Sequence, residues 1–173
     1  MSKRGIWLDL HRNSGKSGVL GFLIALITSP GFCAVLLYRM SCATRRWGPV
    51  GKVLSILIWR ANISAFGCHL SPTSRCGEGL LLPHPVGIVI GQGVLIGDNA
   101  EIYQNVTFGT ADFSKGEYPK IESDVKVFPG AVIVGKVTVG RRAVIGANSY
   151  VAKDVPAGMV VAGSPAKVIR PVG

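Results

Sequence analysis

Acidic side chains are scarce in this sequence. Its 173 residues include 19 Lys and Arg but only nine Asp and Glu, and charged residues make up 16% against 48% hydrophobic ones. So little charge excludes an intrinsically disordered chain, which needs high charge and low hydrophobicity. The 23 glycines exclude a coiled coil, whose composition is dominated by Ala, Glu, Lys and Leu. The length fits one domain with at most a modest appendage.

Paired cysteines and a cleavable signal peptide are also missing. The four cysteines form no C-x-x-C pair; they are Cys33, Cys42, Cys68 and Cys76. Disulfides and metal-binding cysteine pairs have characteristic spacings, and secreted proteins carry a leader. We therefore expect reduced thiols in a cytoplasmic protein.

The positive charge is concentrated in the first part of the chain. Residues 1–69 hold nine Lys and Arg against one acid, Asp9, a net charge of +8, whereas residues 70–173 carry +2. Basic residues attract an anionic partner. Here they alternate with apolar runs and not with a nucleic-acid-binding motif. We therefore expect contact with an anionic membrane surface, at the inner face of the cytoplasmic membrane, and no nucleic acid.

The region 1–66 is predicted to be helical, basic and apolar. The stretch from Val19 to Tyr38 contains no charged residue, and it is long enough to cross a bilayer as one helix. Ser29-Pro30-Gly31 interrupts it, because proline lacks a backbone donor and disfavours helix in the preceding residue. Helices over 19–28, 32–46 and 49–64 are predicted instead. They either pack on the rest of the protein and its copies or rest on the lipid surface.

From residue 70 the sequence repeats with a period of six. Such a period predicts a triangular β-solenoid, in which three hexads form a coil of about 18 residues. We assign residues 67–158 to this solenoid, with 112–120 as a loop leaving its wall, and residues 159–173 to a C-terminal tail. Steps of six reach aliphatic or small residues at Leu70, Cys76, Leu82, Ile88, Val94, Ala100 and Val106, and again at Ile121, Val127, Ile133, Val139, Ile145 and Val151.

These repeats resemble those of the hexapeptide-repeat acyltransferases. The segments LPHPVGIVIG, IYQNVTFG, GAVIVG, IGANSYV and AGSPAKVI are similar to the bacterial serine acetyltransferase family, over nearly all of residues 28–170. The short acetyltransferases of surface-polysaccharide gene clusters also look similar. The resemblance implies a left-handed parallel β-helix, acetyl-CoA as co-substrate, and a homotrimer with the cofactor between neighbouring β-helices.

The resemblance also implies a catalytic base. His84 stands where the family has its general base, and His69 precedes it at the spacing where the family has the carboxylate that pairs with that base. A neutral imidazole can orient His84 by accepting a hydrogen bond. It cannot stabilise the developing imidazolium as a carboxylate does. Either His69 orients His84 with less electrostatic help, or Glu78 or a group of the substrate supplies the negative charge. Alternatively, His84 caps a turn and His69 only leads the chain into the first coil.

Several small residues resemble the family's cofactor-binding positions. Gly109 corresponds to the glycine beside the thioester, and Lys167 to the signature near the nucleotide. The corners Gly130-Ala131 and Gly146-Ala147 correspond to those lining the pantetheine arm. A solenoid also needs small residues at its corners, so these positions can be purely structural. No metal is expected: a zinc carbonic anhydrase on the same solenoid needs three histidine ligands, and the repeat region offers at most two.

The acceptor positions depart from the family. Pro83 and Lys16 stand where the family has acids, and Glu117 and Tyr118 stand where it has an Arg-His pair. Charged ends of an amino acid need oppositely charged partners when they leave water. We therefore expect a saccharide hydroxyl as acceptor, in surface-polysaccharide biosynthesis, with Glu117 and Tyr118 at its site. The alternatives are serine O-acetylation in cysteine biosynthesis and a membrane-associated trimeric scaffold with a decayed site.

Overall fold

Four helices precede the solenoid in a computed structural model that describes residues 3–110, 112, 114 and 116–173. The three predicted helices are present with slightly different ends, and another helix, Lys3–Ser14, was not predicted because its sequence is polar. Ser29 separates Gly18–Thr28 from Pro30–Thr44, because its hydroxyl accepts a hydrogen bond from the Phe32 amide. Gly67, at φ 63°, ends the last helix. The helices are α1 (Lys3–Ser14), α2 (Gly18–Thr28), α3 (Pro30–Thr44) and α4 (Gly48–Phe66).

Fourteen short strands follow in the described part of the chain and wind into a triangular β-helix. The strands are β1 (His69–Leu70), β2 (Arg75–Cys76), β3 (Val89–Ile90), β4 (Leu95–Ile96), β5 (Glu101–Ile102), β6 (Thr107–Gly109), β7 (Lys120–Ile121), β8 (Lys126–Val127), β9 (Val132–Val134), β10 (Thr138–Val139), β11 (Val144–Ile145), β12 (Tyr150–Val151), β13 (Met159–Ala162) and β14 (Lys167–Pro171). Wall 1 contains β1, β3, β6, β9 and β12; wall 2 contains β2, β4, β7 and β10; wall 3 contains β5, β8, β11, β13 and β14. The described pairs are parallel except β13 with β14.

The residues expected as a C-terminal tail contain two of these strands. β13 extends wall 3 by pairing with β11, and Val161 on β13 is buried in the core. β14 pairs with β13 in the antiparallel direction and covers the end of the wall. Parallel strands leave backbone groups open at the last coil, and β14 satisfies those of β13.

The register of the coils explains the period of six and corrects one part of it. Ile121 pairs with Val139 and Ile90 with Phe108, and each of these steps is three hexads long. Leu70 instead pairs with Ile90 and not with Ile88, so the first coil contains two additional residues. The first six-residue series therefore starts on wall positions and continues, after Leu82, on corner positions. Both kinds of position point inward, which is why the series stays apolar throughout.

The two additional residues lie in the corner between Leu82 and Ile90, and a second insertion lies opposite. Ile96 pairs with Ile121, a step longer than three hexads because it includes the predicted loop. This loop joins Gly109 to Lys120, and its residues Ala111, Phe113 and Lys115 fall outside the described part of the chain.

The edge between walls 3 and 1, at 83–88, 103–106, 128–131 and 146–149, is hereafter the His84 edge. The edge between walls 1 and 2, at 91–94, 116–119 and 135–137, is the loop edge.

Helix α1 holds the helices against the first coil through one buried ion pair. Asp9 accepts from Arg39 Nε at 3.0 Å and from the Leu80 amide at 2.9 Å. Arg39 also donates to the carbonyl oxygens of Cys76 and Gly77. A buried ion pair is tolerated when such additional hydrogen bonds satisfy the remaining atoms. The sole acid of the basic region is therefore structural.

Candidate functional site

His84 is exposed on the longest corner of the His84 edge. The two additional residues of the first coil widen this corner, and Pro83 and Pro85 restrict its backbone. The His84 ring lies 6.4 Å from the ring of Tyr103 in the next coil, and Tyr103 stacks on Phe128, in the coil after that, at 5.3 Å. An exposed imidazole can accept a proton from a bound hydroxyl. The aromatic pair forms an apolar surface beside it.

His69 lies on wall 1 and does not hydrogen-bond to His84 among the described residues. Its backbone pairs with Val89 in the next coil. Its ring is exposed and packs edge-on against Trp59 of α4, with centroids 6.1 Å apart. The predicted pairing of the two imidazoles thus stays a prediction.

A polar pocket of about 440 Å³ is lined by Leu82 and Pro83, the two residues that precede His84. It lies between the end of α1, the junction of α2 and α3, and the corner of the first coil. The pocket brings together two of the predicted acceptor positions, Lys16 and Pro83, which are far apart in the sequence. Asn13 forms part of its wall: the side chain donates to the Leu80 carbonyl at 2.8 Å and accepts from the Leu82 amide at 3.0 Å. The segment leading to His84 is therefore fixed.

Most of the predicted cofactor positions lie along the His84 edge. Gly130, Ala131, Gly146 and Ala147 occupy the corners below His84, and Lys167 lies on β14 near the far end. The glycines also have a packing role: a Cβ on Gly130, which adopts φ 73°, would overlap the Asn148 side chain. Successive coils are about 4.8 Å apart, so the edge offers an elongated surface ending at His84.

Tyr118 lies on the loop edge instead, and Gly109 is the last residue of β6, where wall 1 meets that edge. No described atom lies within 4 Å of a Cβ built on Gly109, so this backbone is open to a ligand. Tyr118 packs over Gly93 and accepts a hydrogen bond from Gln92 Nε2 at 3.0 Å. Glu117 is exposed beside it. Within one chain these residues are separated from His84 by the width of wall 1.

An ion pair that was not predicted supports the aromatic surface. The Tyr103 hydroxyl donates to Glu101 at 2.9 Å, and Lys126 lies 3.0 Å from the other oxygen of that carboxylate. The hydrogen bond to Glu101 raises the pKa of Tyr103, because it stabilises the protonated phenol. Glu101 and Lys126 lie opposite each other on the neighbouring strands β5 and β8 of wall 3. The loop separates them in the sequence, so this contact was not predicted. Sequence reasoning also missed Asn13, which no periodic pattern marks.

The described residues hold no group of three or more His, Cys, Asp or Glu side chains that could bind a metal ion. All four cysteines carry free thiols. Burial raises the pKa of Cys68 to about 12 and that of Cys76 to about 11, because a thiolate is poorly solvated inside the protein. These two thiols therefore stay protonated at neutral pH.

Comparison with known proteins decides the family. Residues 118–153 match the model of the bacterial transferase hexapeptide, six repeats. The serine acetyltransferase of Helicobacter pylori is 37% identical over 147 residues, which cover 83% of this chain and 84% of that protein. This chain belongs to the serine acetyltransferase family. The left-handed parallel β-helix with preceding helices is thereby confirmed.

Two further relatives show how far the similarity extends. Serine acetyltransferase 2 of Arabidopsis thaliana is 36% identical over 152 residues, 87% of this chain but 46% of that protein. The structure of serine acetyltransferase from Brucella abortus in complex with coenzyme A superimposes with a TM-score of 0.88 at 30% identity, covering 98% of this chain and 68% of that chain. The chain thus spans about half the length of several curated serine acetyltransferases it matches.

The expectation of a saccharide acceptor is wrong. The relatives and the solved neighbours are serine acetyltransferases, so the findings favour serine, which was the alternative. The substitutions at the four acceptor positions therefore do not identify a saccharide acceptor. The expected role of this chain in surface-polysaccharide biosynthesis is therefore wrong as well.

Proposed function

We propose that this protein transfers an acetyl group from acetyl-CoA to the hydroxyl of L-serine, with His84 as the general base. One observation carries the proposal: His84 lies at the end of the edge that also holds the predicted cofactor corners, and Pro83, just before it, lines a polar pocket large enough for a small acceptor. Family membership supports both substrates, since serine acetyltransferase relatives have been solved with coenzyme A and with serine.

In the proposed reaction, His84 first accepts a proton and later donates it. The imidazole takes the proton of the serine hydroxyl as its oxygen attacks the acetyl carbonyl carbon. The carbon–sulfur bond then breaks, and the imidazolium returns the proton to the departing thiolate of coenzyme A. The products are O-acetylserine and free coenzyme A.

The test is to incubate the protein with acetyl-CoA and L-serine, to follow the appearance of free thiol, and to identify the product by mass. We expect serine-dependent thiol release and a product heavier than serine by one acetyl group in place of a proton. Thiol release at the same rate without serine would refute transfer to this acceptor.

We further propose that the active assembly is a homotrimer. Gly109 and the loop with Glu117 and Tyr118 lie on the opposite edge of wall 1 from His84, and threefold packing of triangular β-helices would bring the loop edge of one chain to the His84 edge of the next. Light scattering should give three times the 18.2 kDa mass of the chain. A monomer that is fully active would contradict the proposal.

The helical region supports a third proposal, that the protein lies on the inner face of the cytoplasmic membrane. The exposed side of α2 and α4 is apolar, with Val19, Leu20, Ile27 and Val50 more than 70% exposed. Arg45, Arg46 and Lys52 flank it, a distribution that suits anionic lipid and would repel a second copy of the same face. No single helix in the described ranges is both long enough and apolar enough to span a membrane. Helices α2 and α3 reach that length and hydropathy only when taken together, and the chain bends by 104° between them.

A further inference from the structure

Lys16 is the one charged side chain among the described residues lining the pocket beside His84. The polar side chains around it are already engaged within the protein. Asn13 binds the first coil, Ser14 donates to the Leu10 carbonyl, and Thr28 to that of Ile24. Ser29 donates to the Asn13 carbonyl and accepts from Phe32. The Lys16 ammonium has no ion-pair partner in the described part of the chain, so it remains available to a ligand.

The position of Lys16 is set by the packing around it. The chain turns between α1 and α2 at Gly15 and Gly18, both with φ near 70°. A Cβ built on Gly21 of α2 would lie 3.0 Å from the Cβ of Lys16, so α2 packs directly on the stem of this side chain. The backbone amide of Lys16 donates to Ser14 at 3.2 Å. Lys16 is therefore a half-buried residue held in a turn.

The pocket and the proposed base are neighbours along the chain. Pro83 lines the pocket, and His84 follows it at the next Cα, about 3.8 Å away. An acceptor that occupies this pocket and whose hydroxyl reaches His84 would have its other end toward Lys16. An ammonium group there would meet a like charge and no described acid in the pocket wall, whereas a carboxylate would meet an opposite charge.

We propose that Lys16 binds the carboxylate of the acceptor, so that the site selects small 3-hydroxy acids and does not require an amino group. The inference rests on the proposed acetyl transfer and adds the chemical feature by which the acceptor is recognised. L-Serine is one member of this class. The transferred group, the proton acceptor and the leaving thiol are the same for every member.

The first arm of the test compares three acceptors with acetyl-CoA. L-Serine has the hydroxyl, carboxylate and ammonium; 3-hydroxypropionate lacks the ammonium; L-serine methyl ester lacks the carboxylate. A hydrogen-bonded charge contact is worth roughly tenfold to a hundredfold in affinity. We expect 3-hydroxypropionate to give a kcat/KM within about tenfold of serine, and the ester to fall at least about tenfold below both. An ester as good as serine, or serine used while 3-hydroxypropionate is not, would overturn the inference.

The second arm changes the lysine. Lys16→Gln should raise the KM for both carboxylate acceptors about tenfold or more, with kcat, the rate with the ester and the KM for acetyl-CoA little changed. Lys153→Gln, the same substitution on an exposed lysine of the last coil, is the matched control. Equal KM values for the Lys16 variant and the control would exclude Lys16 as the carboxylate ligand.

A binding measurement separates the inference from the proposed function. If no acceptor releases thiol, acetyl transfer is refuted, and calorimetric titration of 3-hydroxypropionate into the wild type and Lys16→Gln still decides the role of Lys16. Heat of binding that disappears in the variant supports the inference; no binding to the wild type overturns it.

Discussion

At the scale of single residues, the Asn13 side chain makes hydrogen bonds that a neighbouring strand would otherwise make with the first coil. The first coil has no coil before it, so Leu80 and Leu82 expose backbone groups that a neighbouring parallel strand would pair. The amide of Asn13 satisfies the Leu80 carbonyl and the Leu82 amide together. His84, two residues further on, is held at the open end of the solenoid as a result. A contact between residues so far apart in the chain cannot be predicted from local sequence, whereas the candidate base could be, because its motif is contiguous.

Stability at alkaline pH should depend on Cys68, a fully buried thiol. Burial raises the pKa of Cys68 from 9.0 to about 12, because the thiolate is poorly solvated inside the protein. The folded state therefore keeps its proton where the unfolded state loses it. The contribution of the protonated Cys68 thiol to stability is fully present below pH 9 and is lost as the pH rises from 9 toward 12.

We expect the fall in the free energy of unfolding between pH 7 and pH 10 to be about 1 kcal/mol smaller in Cys68→Ala than in the wild type. Urea titrations at the two pH values measure it. Cys33→Ala, at a half-buried site, is the control with a smaller effect. An identical fall in wild type and Cys68→Ala would contradict the buried-thiol account.

At the scale of elements, the walls were predictable and the edges were less so. One aliphatic residue per hexad sets each wall, and this pattern is visible without a structure. The insertion beside His84 is not visible, because the residues that follow it are also apolar and the count of six continues across it. Helix α1 was missed because it buries only a few residues, such as Asp9 and Leu10, on an otherwise polar surface.

The junction between α3 and the first coil should be intolerant of one methyl group. A Cβ on Gly31 would overlap the Leu82 carbonyl oxygen, so Gly31→Ala must displace either the helix or the segment leading to His84. We expect a loss of roughly 2 kcal/mol or more, seen by calorimetry as a Tm lower by about 4–8 °C.

Gly109→Ala is the matched control for this change, because a Cβ there meets nothing within 4 Å. We expect its Tm to be unchanged, while its KM for acetyl-CoA rises if the cofactor passes this backbone. An unchanged Tm in Gly31→Ala would mean that the close contact between α3 and the first coil has no energetic consequence.

At the scale of the whole molecule, most of the positive charge and the proposed base occupy separate parts. The helical region carries the excess of positive charge and the exposed apolar side chains, whereas the solenoid is nearly neutral and carries His84. Composition alone predicted this division. It could not predict the acceptor, because Lys16 and Pro83 meet only after the helices have folded onto the first coil.

The proposed membrane contact should depend on the basic flank. Each Lys or Arg near an anionic bilayer contributes about 1 kcal/mol, so Arg45→Glu with Arg46→Glu should weaken binding to phosphatidylserine-containing vesicles by at least about tenfold. Flotation measures the bound fraction. Lys136→Glu with Lys153→Glu makes the same charge change on the solenoid and should have little effect. Equal binding of the wild type to neutral and anionic vesicles would refute the electrostatic contact.

The most direct measurement of the central claim is the turnover of acetyl-CoA and L-serine by His84→Ala, together with its affinity for coenzyme A. A base acts in the transition state and not in cofactor binding, so kcat should fall by about 100-fold or more. The Kd for coenzyme A should stay within about twofold, and His11→Ala, on α1, should keep full activity. A His84→Ala protein that turns over within a few fold of the wild type would contradict the assignment of the base.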